Sequence, residues 1–218
     1  MTGQLLHKFR NHGPLSRRTK FLILALVPVY FMAAGLILQP ADEVWRGIVT
    51  IIREPDFLIT DYIAIGGIGA AFINAGVLAL ISIAIVYFLG MDMSGHTITS
   101  CFLMFGFSLF GKNILNIWSI MMGVCLYAFY HKTSVTRYIY VGFYGTSLSP
   151  IITQLMTVGH LPLAVRLPFS ILVGMIIGFV LPPLSTHTHY SHKGYSLYNV
   201  GFASGIIATV IVSLMKSF

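Results

Sequence analysis

Lys112 stands between Gly111 and Asn113 in the stretch HTITSCFLMFGFSLFGKN, and Asn116 follows three residues after Asn113. Residues three apart share a helical face. The two amides can therefore act together, either on a polar solute or on carbonyls left open where a helix breaks. Asn74 adds a third amide inside another apolar run. If Lys112 lies at the surface, its ammonium simply meets water. If it lies within the membrane, it must face water or a counter-ion, and it then attracts anions and opposes cations. The plainer role for the asparagines is interhelical hydrogen bonding, worth about 1 kcal/mol each. Asp61, in ITDY at the mouth of an apolar run, is either a helix N-cap or an ion- or proton-binding group in a vestibule.

His187, His189 and His192 form H-x-H-x-x-H in the polar stretch STHTHYSHKGYS. Imidazoles bind Zn, Ni, Cu or Fe, but one regular structure cannot present all three rings together. His189 and His192 suit a helical face, whereas His187 and His189 suit a strand face. No carboxylate lies nearby to orient them. A pH-sensitive or plain interfacial loop is the competing reading, and His96 is a further candidate for that cluster.

Enzyme signatures are missing. There is no GxSxG elbow, no HExxH and no phosphate loop. The six acidic residues fall mostly in the polar stretches, which leaves little material for paired-carboxylate chemistry. No cofactor is expected. Chemistry on a lipid headgroup through His96, Lys112 or the histidines is the least favoured reading.

The elements that must position these residues are apolar. The 218-residue chain is 56% hydrophobic and 9% charged, where a soluble domain carries about 25% charged residues. A single water-soluble domain is excluded on that ground, and recurrent apolar runs point to hydrocarbon as their solvent. The expectation is an all-α, polytopic transmembrane protein of about seven spans. The runs lie near 21–38, 62–89, 98–110, 114–130, 138–158, 167–183 and 197–215. The third is short for a crossing, so it is either re-entrant or broken, or a tilted span followed by a tight turn. Adjacent Gly66 and Gly67 also mark a potential helix break. Pro182 and Pro183 are expected to end the sixth run. Gly174 and Gly178 form a GxxxG packing face.

Residues 1–20 form a basic tail carrying Lys8, Arg10, Arg17, Arg18 and Lys20, read as cytoplasmic. Residues 21–218 are read as one transmembrane domain. Within it, 41–57 alternates charge with Val44, Trp45, Ile48 and Ile51 at helical spacing, as an amphipathic interfacial segment does, or equally a loop helix packed on the protein's own surface. Cys101 and Cys125 both lie in apolar runs and suggest no disulfide framework. The segment 196–214 faintly echoes 59–80, with Tyr62 matching Tyr198 and Gly69 matching Gly205. A true repeat would make the chain one part of a longer or split protein.

The segments FGKNILNIWSIMMGVCLYAFY and STHTHYSHKGYSLYNVGFASGIIATVIVSL resemble a bacterial multi-pass membrane family known only as a domain of unknown function. The resemblance covers most of 55–218. Members are generally longer, which implies that this chain corresponds to an N-terminal part. It implies no residue roles. The expected function is a channel or transporter for a small polar solute or anion, using Lys112, Asn113, Asn116, Asn74 and Asp61. A structural or assembly subunit without flux is the rival. Expected partners are the lipid bilayer, a small polar solute or ion, and a second copy or complementary half-chain. Nucleic acid is not among them. The expected location is a bacterial inner membrane with the N-terminus cytoplasmic.

Overall fold

The Ser16 hydroxyl accepts the Thr19 amide and starts helix α1 (Arg17–Leu38). The computed structural model describes residues 15–54, 59–157, 162–192 and 199–217, with backbone only at 189, 192, 216 and 217. Most of the expected basic tail, including Lys8 and Arg10, lies outside the described residues, as do 55–57 and Tyr198.

Pro40 then leads into α2 (Ala41–Arg53), where Asp42 and Glu43 occupy the first turn and Arg53 the last. That charge order suits the helix dipole. Val44, Gly47 and Ile51 form its buried face, whereas Trp45 is 67% exposed.

Helix α3 (Tyr62–Phe88) is interrupted at Gly67, whose φ of 85° and ψ of 162° suit only glycine. A break strands backbone groups that must find partners in an apolar setting. Gln39 supplies them. Its Oε1 accepts the Gly69 amide at 2.7 Å, and its Nε2 donates to the Gly66 carbonyl at 3.3 Å. Small residues at the break also let α2 lie directly on α3. A Cβ on Gly47 would fall 2.0 Å from the Gly66 carbonyl oxygen.

Helix α4 (Gly95–Phe107) begins with a Ser94/Thr97 capping box. It is followed by α5 (Trp118–Tyr130), α6 (Ile139–Gly145), α7 (Ser149–Thr157), α8 (Leu163–His192) and α9 (Asn199–Ser217). A 3₁₀ turn at Thr146–Leu148 separates α6 from α7. One core joins α1, α3, α4 and α6 through Leu24, Leu78, Val86, Met104 and Phe143. A second joins α5, α7, α8 and α9 through Ile120, Ile151, Ile177, Leu181 and Ala203. Helices α5 and α8 meet where the GxxxG face was expected. Gly178 lies so close that an added Cβ would sit 2.0 Å from the Ile120 carbonyl oxygen.

The expectation of about seven spans needs correction. Among the described residues, three helices are long and apolar enough to cross a membrane: Arg17–Leu38, Tyr62–Phe88 and Leu163–Thr188. Trp118–Tyr130 and Asn199–Met215 are shorter apolar helices. Helix α4 has 13 residues, about 20 Å at 1.5 Å per residue, against a hydrocarbon core of about 30 Å. The run 138–158 is apolar but not one α-helix, because a 3₁₀ segment at Thr146–Leu148 divides it into α6 of 7 residues and α7 of 9, each too short to cross alone. The run from 114 starts as turns, and its helix begins only at Trp118. What remains is an all-helical multi-span membrane architecture among the described residues.

The histidine stretch also differs from expectation. Helix α8 continues through Pro182 and Pro183 to His192. The Ser185 and Thr186 hydroxyls donate to the Pro182 carbonyl at 2.9 and 3.0 Å. Thr188 ties this end to α9 through the Asn199 carbonyl. The packing of this end against α9 thus outweighs the two donors that the prolines lack.

Candidate functional site

The link from Ser108 to Ile117 runs between α4 and α5 without helical structure. Gly111, with φ at 98°, redirects the chain inside it. Backbone of this kind among apolar helices needs partners, and three asparagines provide most of them. The Asn74 amide, projecting from α3, donates to the Ser108 carbonyl at 2.7 Å and the Lys112 carbonyl at 2.9 Å. Asn113 and Asn116 cap each other. The Asn113 Oδ1 accepts the Leu115 and Asn116 amides at 3.0 and 3.1 Å, and the Asn116 Oδ1 accepts the Asn113 amide at 2.9 Å. The Asn116 Nδ2 then donates to the Gly111 carbonyl and the Thr153 hydroxyl. The Asn113 Nδ2 reaches the Tyr62 hydroxyl at 3.3 Å, and the Leu109 carbonyl accepts the Tyr62 amide at the start of α3.

Lys112 therefore sits in a link whose position is fixed from three sides. Its side chain is buried, with 1% of its surface exposed. The ammonium contacts the Phe143 carbonyl and the Met104 thioether, both at 3.4 Å, and lies 5.3 Å from the Phe107 ring centroid. Thr146 points its hydroxyl at the same carbonyl and the same sulfur. Among the described residues no carboxylate pairs with Lys112. The residue lies outside the three membrane-length helices, and burial pushes its pKa down from 10.5 to about 7. Lys112 also borders a cleft of about 290 Å³ shared with Ile59, Phe107, Phe110 and Ser147. An ammonium has three donors, and two are engaged at long distance.

The other expected residues fall elsewhere. Asp61 is exposed and caps α3, accepting the Ile63 and Ala64 amides at 2.9 and 3.2 Å. Asn116 borders a separate cleft of about 280 Å³ with Ser119 and Ser170, but its amide hydrogens are engaged by Gly111 and Thr153. His187 is exposed on α8, and the His189 and His192 side chains lie outside the described residues. Among the described residues no three His, Cys, Asp or Glu side chains are grouped to hold a metal.

Gln39, Thr146 and Thr153 are partners that no motif in the sequence singles out. Thr146 and Thr153 had a readable signal. With Ser149 they form a polar line at spacings of three and four in an otherwise apolar run. Gln39 had none beyond its place before a proline.

A family model described as "Protein of unknown function (DUF1576)" matches residues 41–217. Both segments that carry the resemblance lie within that stretch. No curated protein matches the chain. No solved structure matches it either.

Proposed function

The chain belongs to the DUF1576 family, which is defined without an activity, and from that premise we propose that the protein carries a small anion across a membrane, with the Lys112 ammonium receiving it. One observation carries the reading: a buried lysine without a carboxylate partner among the described residues borders a cleft. A buried charge without a counter-charge is costly. An anion in the cleft would offset that cost, and Ser147 at its margin offers a hydroxyl donor. Asn74, Asn113 and Asn116 hold the link in this reading, and Asp61 fixes the start of α3. The same proposal takes the basic end of α1 as cytoplasmic in a bacterial cell membrane, with α2 along the opposite interface.

Anion flux into reconstituted vesicles tests the proposal. Lys112→Met should abolish it, while Lys112→Arg should retain part of it. Equal flux in wild-type and Lys112→Met vesicles would exclude Lys112 as the receiving group. A second reading, an assembly subunit without flux, draws support from the engagement of the Asn74 and Asn116 amide donors by their own chain. Vesicles with correctly folded protein and no flux of any small anion would favour it.

A further inference from the structure

A groove runs between α1 and α3 at their basic end, separate from the Lys112 cleft. Its volume is about 430 Å³. On α1 the lining residues Arg18, Leu22 and Ala25 follow at spacings of four and three, so they form one stripe along the axis. On α3 Leu80, Ala84 and Phe88 form the opposing stripe at spacings of four. The two alanines leave the width that larger side chains would close. From Arg18 to Ala25 the groove descends about 10 Å along the helix. Its walls are apolar along that whole depth, and its mouth carries a cation.

The two neighbouring arginines differ. Arg17 is engaged: its guanidinium donates to the Tyr87 and Met91 carbonyls and lies 4.6 Å from the Tyr87 ring centroid. Arg18 is exposed and makes no ion pair among the described residues. It stands at the polar end of an apolar slot, without an acidic residue in the first turn of α1, and the Asp92 carboxylate at this end lies 4.0 Å from the Arg17 guanidinium and makes no ion pair with Arg18. We infer that this groove binds one anionic phospholipid, with an acyl chain between α1 and α3 and the phosphodiester on Arg18. Charge complementarity selects the occupant: the apolar stripe takes any acyl chain, but the free guanidinium favours a headgroup with net negative charge.

Native mass spectrometry of the full-length protein, in detergent with equal phosphatidylglycerol and phosphatidylcholine, tests this inference. Phosphatidylglycerol should be retained preferentially. Arg18→Gln should lower that preference about fivefold, the factor given by roughly 1 kcal/mol per basic residue at an anionic surface. Ala84→Phe fills the slot and keeps the charge, so it should abolish retention of both lipids. A melting curve confirms folding of each variant, and crosslinking of wild-type protein by a photoactivatable phosphatidylglycerol should map to 18–25 and 80–88. Equal retention of the two lipids, or crosslinks elsewhere, overturns the inference. So does lipid binding that appears only after residues 1–14 are removed, which would assign the groove to the chain's own N-terminal segment. A dimer lost on Ala84→Phe substitution, with no lipid bound to wild type, would assign it to a second copy.

Discussion

The Asn74 side chain donates to the Lys112 carbonyl at 2.9 Å across 38 residues of sequence, and the same amide group holds the Ser108 carbonyl. One asparagine on α3 therefore fixes both sides of the Gly111 turn. The position of the Lys112 ammonium follows from that clamp, because the link has no helical ladder of its own.

Replacing Asn74 by Leu should leave two buried carbonyls without this donor. A buried unsatisfied group costs about 1–3 kcal/mol, and hydrogen bonds between membrane helices fall near the lower end. The expected outcome is a lower melting temperature in detergent, with faster amide exchange confined first to 108–113. An unchanged melting temperature would show that water or a neighbouring group replaces the amide.

Gly67 and Gly90 differ in both conformation and crowding. Both have positive φ, at 85° and 75°. An added Cβ meets nothing within 4 Å at Gly90, but it meets the Gln39 side-chain amide at 2.5 Å at Gly67. Gly90→Ala should cost only the backbone strain, about 1–2 kcal/mol. Gly67→Ala should cost more, because its φ of 85° and ψ of 162° are open only to glycine and Gln39 must also leave the broken helix. In a double-mutant cycle, Gln39→Ala should then add little to Gly67→Ala. Additive losses in chemical denaturation would separate the two residues.

These contrasts show how far the sequence could be read. Three membrane-length helices follow directly from uninterrupted apolar runs, and the adjacent glycines correctly drew attention to the α3 break. The break's partner, Gln39, lies about 30 residues upstream, beyond any local pattern. The surplus spans came from treating apolarity as continuity. The run 138–158 is apolar throughout much of its length, yet a 3₁₀ segment at Thr146–Leu148 divides it into two short α-helices. The opposite error occurred at Pro182 and Pro183, where local chemistry argued for a stop and tertiary packing carried the helix onward. At the link, the asparagine spacing was legible. Its mutual capping and its contact with Thr153 required the fold.

The α5–α8 contact should be as intolerant as its backbone separation implies. A methyl group on Gly178 would fall 2.0 Å from the Ile120 carbonyl oxygen, and backbone cannot rotate away as a side chain can. Gly178→Ala should destabilise by about 1–3 kcal/mol, the usual range for overpacking. Gly205→Ala, with no atom within 4 Å of the added group, should cost nothing and stabilise by up to about 1 kcal/mol, because Ala is the better helix former. Melting temperatures of the two variants, measured side by side, check the contrast. Equal losses would mean that the α5–α8 crossing is not what makes Gly178 intolerant, because helix propensity alone favours Ala over Gly at both sites.

Lys112 should make stability depend on pH in a defined direction. Burial lowers its pKa to about 7 from the ordinary 10.5, so between those values the unfolded chain holds the proton more often than the native protein. Stability from this group must therefore rise with pH through that window, and fall back as pH drops toward 7. Lys112→Met removes the titration. The difference between wild-type and variant melting temperatures should shift in favour of wild type from pH 7.5 to pH 9.5, while tyrosines and other groups that titrate in both proteins cancel. An anion bound at the ammonium should hold the proton in place, flatten the wild-type slope, and bind more weakly as pH rises. If wild type and Lys112→Met show parallel pH profiles, with and without chloride or a small carboxylate, the ammonium does not carry this titration in the native protein.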